Sequence, residues 1–184
     1  MARNTFTGKR ALITGASSGI GAEFADLLAA QKVDLVLVAR RRELMEQLAA
    51  DLRRKYGVDV IVEAIDLASP GAAGRLKNGL DERSLSIDIL INNAGYGLQG
   101  DFLDTPIERT VDMIQLNITA LTELSHIFGR DMAARGSGHI LLVASLLAFQ
   151  AVPTYAAYAA TKAYVLAFGE ALHDEVRSRG VVVT

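Results

Sequence analysis

The stretch RALITGASSGIG at residues 10–21 decides how the chain begins to fold. Its first five residues, Arg10–Thr14, form a short apolar run that predicts a buried strand. Helical spacing of apolar residues begins at Gly19 and continues to Gln31. A strand that passes through a glycine-rich turn directly into a helix is typical of the first half of a βαβ unit.

The rest of the chain repeats this alternation of short apolar runs and longer helical patterns. Strands are predicted at Asp34–Ala39, Val58–Ile65, Ile87–Ile91, His139–Ala144 and Val181–Thr184, with helices at Arg41–Tyr56, Pro70–Ser84, Pro106–Arg135 and Tyr155–Arg179. This pattern predicts an α/β fold with a doubly wound parallel sheet and helices on both faces. Because no linker or internal repeat divides the chain, we expect one domain across residues 1–184.

Composition excludes several other classes of protein. Hydrophobic residues make up 51% of the 184 residues and charged residues 22%, which is too apolar for intrinsic disorder. A chain of this length can bury roughly 70% of its unfolded surface. The net charge of −2 argues against a nucleic-acid partner. There is no cysteine for a disulfide or a thiolate metal site, and we identify no metal site.

Targeting signals are not evident in the sequence. The start of the chain, Met1–Lys9, is polar, and the apolar run that follows it is too short for a signal peptide. The most apolar stretch, Ile140–Val152, falls short of the ~20 apolar residues that a membrane span needs. We therefore expect a soluble, cytoplasmic protein that has no membrane partner. Since the sequence ends at Thr184, where the sixth predicted strand has only begun, we expect the natural protein to be longer.

The long helical pattern at Pro106–Arg135 carries two further signals. Thr105-Pro-Ile-Glu108 predicts a capping box, with Thr105 as the N-cap. A single apolar arc is predicted from Ile107, Val111, Ile114, Ile118, Leu121, Phe128 and Met132. Asn117 falls inside this arc, where an amide without partners would cost about 1–3 kcal/mol. The sequence therefore requires partners for the Asn117 side chain.

The glycines of the first turn suit an anion. Gly15 allows a sharp turn, Gly19 would let a pyrophosphate approach the backbone, and Gly21 lets helix and strand pack closely. The N-terminus of the helix supplies N–H donors and a positive dipole end. The spacing is G-x3-G-x-G and differs from the G-x-G-x-x-G fingerprint, so an ordinary tight turn stays open as an alternative.

The end of the second strand indicates which dinucleotide would bind. An acidic residue at this position would hold the ribose diol of NAD, but the sequence has Arg40, Arg41 and Arg42. Cations at a helix N-terminus oppose the helix dipole, and a bound 2′-phosphate would offset that. We therefore favour NADP(H), with NAD(H) possible. Ser18 adds no positive charge, so this preference depends on Arg40 and Arg41.

Catalytic chemistry is suggested by Tyr158 and Lys162, which share one helix face at a spacing of i, i+4. A cation beside a phenol stabilises the phenolate, as a tyrosine acting as general acid and base requires. A snorkelling lysine beside a core tyrosine is the alternative. Ser145 ends the fifth predicted strand, where it could hydrogen-bond a substrate oxygen or simply form a turn.

Taken together, these motifs resemble those of the short-chain dehydrogenase/reductases over nearly the whole chain. The matching residues, in the family's order, are Thr14–Gly21, Asp66, Asn92–Gly95, Asn117, Ser145, and Tyr158 with Lys162. The resemblance implies strand order 3-2-1-4-5-6, with a seventh strand that would follow Thr184. It also implies NADP(H)-dependent transfer of a hydride between the nicotinamide and a carbonyl or secondary alcohol.

Residue roles come from the same resemblance. Tyr158 would exchange a proton with the substrate oxygen, Lys162 would assist it and bind the nicotinamide ribose, and Ser145 would polarise that oxygen. Asn117 would hold a water that links Lys162 to solvent. The implied cofactor-binding residues are Gly15, Ser17, Ser18, Gly19, Ile20, Gly21, Arg40, Arg41, Asp66, Leu67, Asn92, Ala94, Gly95, Tyr158 and Lys162.

The resemblance leaves the substrate and the assembly less defined. Apolar residues on the expected substrate side indicate a small-molecule carbonyl or alcohol of apolar character, although they could equally pack loops: Tyr96, Leu98, Gln99, Leu146, Leu147, Phe149, Val152, Pro153 and Tyr155. A homodimer or homotetramer through the long helices is implied. The alternatives are an inactive nucleotide-binding regulatory or structural protein, or an incomplete fragment of a reductase.

Overall fold

The predicted alternation of strands and helices is present in the computed structural model, which describes residues 6–184. Residues 1–5, which begin the predicted polar start and the predicted domain, lie outside the described residues. The strands are β1 (Arg10–Thr14), β2 (Asp34–Ala39), β3 (Val60–Ala64), β4 (Ile89–Asn92), β5 (Gly138–Leu142) and β6 (Val181–Val183). All neighbouring strands are parallel, in the order β3-β2-β1-β4-β5-β6, which confirms the predicted fold class.

Helices connect these strands and cover both faces of the sheet. They are α1 (Gly19–Ala30), α2 (Arg42–Tyr56), α3 (Ala72–Asp81), α4 (Ile107–Ile114), α5 (Leu121–Arg135) and α6 (Ala156–Val176). Successive residues of β1 pack into opposite cores, because side chains alternate across a strand. Leu12 joins the core beneath α3 and α5, whereas Ala11 and Ile13 join the core beneath α1 and α2.

Several strand and helix ends differ from the prediction by one to three residues. The fifth strand was expected to reach Ala144, but β5 ends at Leu142. The carbonyl oxygen of the next residue, Val143, accepts a hydrogen bond from Lys162 Nζ at 2.7 Å instead of continuing the sheet. Ser145 therefore does not end a strand, and lies at the start of a 3₁₀ turn, Leu146–Ala148.

The predicted helix Pro106–Arg135 is interrupted by a π-helical turn at Gln115–Ala120, between α4 and α5. A π turn inserts a residue and rotates the side chains that follow it. The prediction of a single apolar arc is therefore wrong: Leu121, Phe128 and Met132 are buried, whereas Ile107, Val111 and Ile114 are exposed. Among residues 6–184, no helix combines the length and apolar character needed to cross a membrane.

The capping box predicted before α4 is also wrong. Pro106 occupies the N-cap position with extended ψ, and no side chain caps the helix there. The hydroxyl of Thr105 donates instead to the carbonyl oxygen of Asp101 at 3.0 Å. Thr105 closes the preceding turn, so its side chain is not available to α4.

Candidate active site

A cleft of about 570 Å³ opens beyond the carboxyl ends of β1, β2, β4 and β5. In the strand order, β1 has β2 on one side and β4 on the other, so the cleft lies at the switch point where open α/β sheets bind ligands. Most of the predicted site residues line it: Gly15, Ser17, Ser18, Ile20, Arg40, Arg41, Asp66, Leu67, Ala94, Gly95, Ser145, Tyr158 and Lys162. Four others, Gly19, Gly21, Asn92 and Asn117, do not line the cleft.

The glycine-rich turn needs two of its glycines for steric reasons. Gly15 has a φ of +68°, and a Cβ there would lie 2.8 Å from Asn93 Nδ2. A Cβ at Gly21 would collide with the carbonyl oxygen of Gly15. The close packing of helix and strand predicted for Gly21 is thus present. Gly19 has a φ of +56° and faces open space, so its contribution is conformational.

The N-terminus of α1 has no side-chain cap, although Ser18 occupies the N-cap position. The hydroxyls of Ser17 and Ser18 accept hydrogen bonds from the Arg41 guanidinium instead, at 2.8 and 2.6 Å. The first N–H groups of α1 therefore lack a side-chain acceptor, and a guanidinium is held beside them. Both features favour a phosphate group at this point.

The three arginines after β2 take different positions. Arg40 and Arg41 line the cleft. Arg42 begins α2 and pairs with Glu46 on the same helix at 3.7 Å. Across the cleft, the carboxylate of Asp66 accepts a hydrogen bond from the Ala68 N–H at 3.1 Å, which fixes the turn after β3. Only two of the three cations are thus available to a ligand in the cleft.

The side chain of Asn92 is directed away from the cleft, so only its backbone could border the predicted cofactor. Asn92 is the last residue of β4, and its side chain is buried against α5. Its Nδ2 donates to the Leu121 carbonyl and to Ser125 Oγ, so it joins β4 to that helix. The next residue, Asn93, lines the cleft and donates from Nδ2 to the Thr14 carbonyl at 2.9 Å, which ties β4 to β1.

Lys162 is buried rather than snorkelling, since it is only 6% exposed. Its Nζ donates to the Val143 carbonyl at 2.7 Å. Burial lowers the pKa of the Lys162 ammonium below its ordinary value. Tyr158, one turn earlier on α6, lines the same cleft, and its ring packs against Gly97, where a Cβ would lie 3.4 Å from the ring. The i, i+4 spacing therefore brings phenol and amine to one site.

Ser145 approaches this site from the end of β5. Its Oγ accepts a hydrogen bond from the Leu147 N–H at 3.2 Å, which caps the 3₁₀ turn and fixes the side chain. The serine lines the cleft together with Tyr158 and Lys162. Three side chains from separate parts of the sequence therefore converge at one end of the cleft.

Asn117 lies in the π-helical turn and is 1% exposed. Its Oδ1 accepts the Tyr96 N–H at 3.1 Å, and its Nδ2 donates to the Tyr96 carbonyl at 3.0 Å. A third bond runs from Nδ2 to Thr161 Oγ1 at 3.1 Å. The partners that the sequence required are thus protein groups. Thr161 was not predicted as a site residue, although a polar residue directly before Lys162 is a detectable signal.

A glycine-rich turn at an uncapped helix, facing a buried lysine and a tyrosine across the switch point of a parallel sheet, defines a dinucleotide-binding protein of the doubly wound class. The family model for short chain dehydrogenases matches residues 9–184. The chain therefore belongs to the short-chain dehydrogenase family.

Curated relatives and solved structures support this family membership. The chain is 34% identical over 180 residues to a very-long-chain 3-oxoacyl-CoA reductase of Homo sapiens, covering 96% of this chain and 57% of the relative. A short-chain dehydrogenase of Sphingobium yanoikuyae in complex with NADPH superposes with a TM-score of 0.91 at 39% identity, over 96% of this chain and 68% of that one.

A second solved structure is a bulky-bulky ketone specific alcohol dehydrogenase from Comamonas testosteroni. It matches with a TM-score of 0.91 at 37% identity, over 96% of this chain and 70% of that one. The chain thus spans about half the length of the curated relatives that it matches.

Proposed function

We propose that the protein is an NADP(H)-dependent oxidoreductase that reduces an apolar ketone, or oxidises the corresponding secondary alcohol. The observation that carries this proposal is the convergence of Ser145, Tyr158 and Lys162 on the cleft that also contains the glycine-rich turn. A nucleotide-binding protein without turnover would have no need for a buried lysine at the end of that cleft. The family membership supports the same reading.

Three parts of the cleft suit three groups of a phosphorylated dinucleotide: the pyrophosphate, the 2′-phosphate and the nicotinamide ribose. The uncapped N-terminus of α1 suits the pyrophosphate, and Arg41 with Arg40 suits a 2′-phosphate. At the far end, the Lys162 ammonium can hold ribose hydroxyls. When bound, the dinucleotide supplies the hydride for the carbonyl carbon.

Three side chains of the protein would then act on the substrate oxygen. The Ser145 hydroxyl donates a hydrogen bond to the carbonyl oxygen and polarises it. The Tyr158 hydroxyl gives its proton to that oxygen as the alcohol forms. The Lys162 ammonium stabilises the resulting phenolate. A water relay through the side chain of Asn117 would have to use Oδ1, because both hydrogens of Nδ2 are already donated.

The substrate class is proposed from the apolar residues that follow Ser145 in the chain. Leu146 and Phe149, in and just after the 3₁₀ turn that follows Ser145, are 83% and 73% exposed. Exposed apolar side chains next to polar catalytic groups are typical of a site for an apolar ligand. The Comamonas testosteroni relative is specific for bulky ketones and the human relative is named for 3-oxoacyl-CoA. We therefore propose a bulky ketone as the substrate.

Replacing Tyr158 with Phe tests the mechanism. This change removes the proton donor and keeps the ring against Gly97, so we expect turnover of a bulky ketone to fall on the order of 10²–10⁴-fold. The Kd for NADPH should change little. The matched control is Tyr164→Phe on the same helix, whose hydroxyl contacts Thr122 outside the cleft. Full activity in Tyr158→Phe would contradict the proposal.

A further inference from the structure

Thr161 has no part in the function proposed above, yet it is among the most buried polar residues of the protein. It precedes Lys162 on α6 and is 1% exposed. Its hydroxyl donates to the carbonyl oxygen of Tyr158 at 2.8 Å, three residues earlier on the helix. The oxygen of this hydroxyl, Thr161 Oγ1, also accepts a hydrogen bond from Asn117 Nδ2. Thr161 therefore connects the helix of the catalytic pair to the π-helical turn.

The hydrogen of this hydroxyl determines what Thr161 can do toward Asn117. A threonine hydroxyl has one hydrogen, and here it is donated to Tyr158, so Oγ1 can only accept from its second partner. The NH₂ group of Asn117 must therefore face Thr161. The Tyr96 backbone requires the same orientation, since its N–H donates to Oδ1 and its carbonyl accepts from Nδ2. A flipped amide would lose all of these bonds.

This orientation has a consequence at the lysine. Asn117 Oδ1 and Lys162 Nζ lie against the same residue, Gly95, at 2.9 and 3.7 Å from the position that a Cβ would take. The amide oxygen, and not the NH₂ group, thus lies on the side of the buried ammonium. The partner that the lysine itself bonds is the Val143 carbonyl. The ammonium is therefore bonded to one neutral oxygen, the Val143 carbonyl, and a second neutral oxygen, Asn117 Oδ1, lies against the same glycine.

No charged side chain replaces these neutral oxygens as a close partner of Lys162 among the described residues. Among the described residues, no carboxylate forms an ion pair within 4.0 Å of Lys162 Nζ. The other ionisable groups that share the cleft are Tyr158 on α6, Arg40 and Arg41 after β2, Asp66 after β3, and Tyr96 after β4. Without a neighbouring carboxylate, the ammonium of Lys162 depends more strongly on neutral dipoles for its stabilisation. The negative end of a fixed amide dipole is one of these.

We propose that Thr161 is a positioning residue: its hydroxyl fixes the orientation of the Asn117 amide, so that Oδ1 stabilises the ammonium of Lys162. Thr161 acts through Asn117 and contacts neither cofactor nor substrate. The effect on turnover rests on the proposed function, whereas the effect on Lys162 does not.

The test compares Thr161→Val with wild type in the 184-residue chain. The change keeps the shape of the side chain but removes the acceptor for Asn117 Nδ2. With lysine labelled at its side-chain nitrogen, NMR titration should give a pKa for Lys162 that is lower in Thr161→Val than in wild type. Turnover of a bulky ketone should fall on the order of tenfold, as the loss of one or two hydrogen bonds predicts, while the Kd for NADPH changes little.

Two further variants separate positioning from simple damage. Thr161→Ser keeps the hydroxyl and should restore both the titration of Lys162 and turnover. Thr122→Val is a matched control, because the Thr122 hydroxyl also bonds a carbonyl of its own helix turn and a side chain on a neighbouring helix, at 2.8 and 2.9 Å. It should leave the titration unchanged. If Thr161→Val fails to fold, Thr161→Ala takes its place.

The outcomes distinguish this inference from the function on which it partly rests. An unchanged titration of Lys162 in Thr161→Val, or an equal change in Thr122→Val, would overturn the positioning role. Absence of ketone turnover in wild type would overturn the proposed function, and the lysine titration would still decide the role of Thr161.

Discussion

At the scale of single residues, one arginine is best placed to select the cofactor. Arg41 is held at the glycine-rich turn by Ser17 and Ser18, whereas its neighbour Arg42 pairs with Glu46. Replacing Arg41 with Ala removes the charge that would face a 2′-phosphate. We expect NADPH affinity to fall on the order of tenfold to a hundredfold, because charged hydrogen bonds contribute about 1.5–3 kcal/mol.

Fluorescence titrations with NADPH and NADH measure this effect. NADH lacks the 2′-phosphate, so its Kd should change much less in Arg41→Ala. Arg42→Ala removes an equal charge one residue away and should leave both affinities as in wild type. Equal losses for the two nucleotides in Arg41→Ala would show that the arginine does not read the phosphate.

The residue scale also shows what a sequence can predict about a site. Tyr158 and Lys162 could be paired from spacing alone, because helical geometry places i and i+4 on one face. Asn92 could not be placed, since the direction of a side chain at a strand end depends on which core it enters. Thr161 was missed because its importance comes from a partner 44 positions away in the chain.

At the scale of elements, the contact of α1 with the glycine-rich turn is the most constrained in the cleft. A methyl group at Gly21 would collide with the Gly15 carbonyl, so α1 would have to move away from the turn. We expect Gly21→Ala to lower the free energy of unfolding by about 1–3 kcal/mol, as overpacking does. NADPH binding should weaken with it.

Denaturant unfolding provides the measurement, and a second helical glycine provides the control. A Cβ at Gly74 on α3 would meet nothing within 4 Å. Gly74→Ala should therefore be neutral or stabilise the protein by about 0.5–1 kcal/mol, since alanine is the better helix former. If both substitutions had the same effect, close packing at Gly21 would not be the cause.

The sequence predicted the number and type of most helices and strands well. It predicted the residues at which they begin and end less well. The strands stand out because they are short apolar runs buried on both faces. The interruption of the long helix could not be predicted, because the π turn is stabilised by tertiary bonds of Asn117 to Tyr96 and Thr161. The failed capping box has a similar cause, in the contact of Thr105 with Asp101.

At the scale of the whole molecule, an apolar stripe on α4 is not covered by any of residues 6–184. Ile107, Val111 and Ile114 share one helix face and are all exposed. The predicted homo-oligomer would bury this stripe against a second copy of the chain. We expect Ile107→Asp with Val111→Asp to reduce the molar mass in sedimentation to that of the monomer.

A control for this change comes from another exposed apolar residue. Leu27 on α1 is exposed to a similar degree as Ile107 but lies on a different helix. Leu27→Asp should leave the oligomer intact. A monomeric wild-type protein, or a double variant with the mass of wild type, would contradict assembly through α4.

The strand order and the place of the cleft could both be predicted, since alternating strands and helices restrict the topology and the topology determines where ligands bind. The substrate could not, because the residues around it lie in loops whose positions depend on the complete fold.

The central claim, hydride transfer with a phosphorylated dinucleotide, is tested most directly by an isotope experiment. The protein is incubated with a bulky ketone and NADPH that carries deuterium at the reactive carbon of the nicotinamide. The account predicts an alcohol with deuterium on the carbinol carbon, formed faster with NADPH than with labelled NADH. No alcohol with either nucleotide, or alcohol without the label, would contradict it.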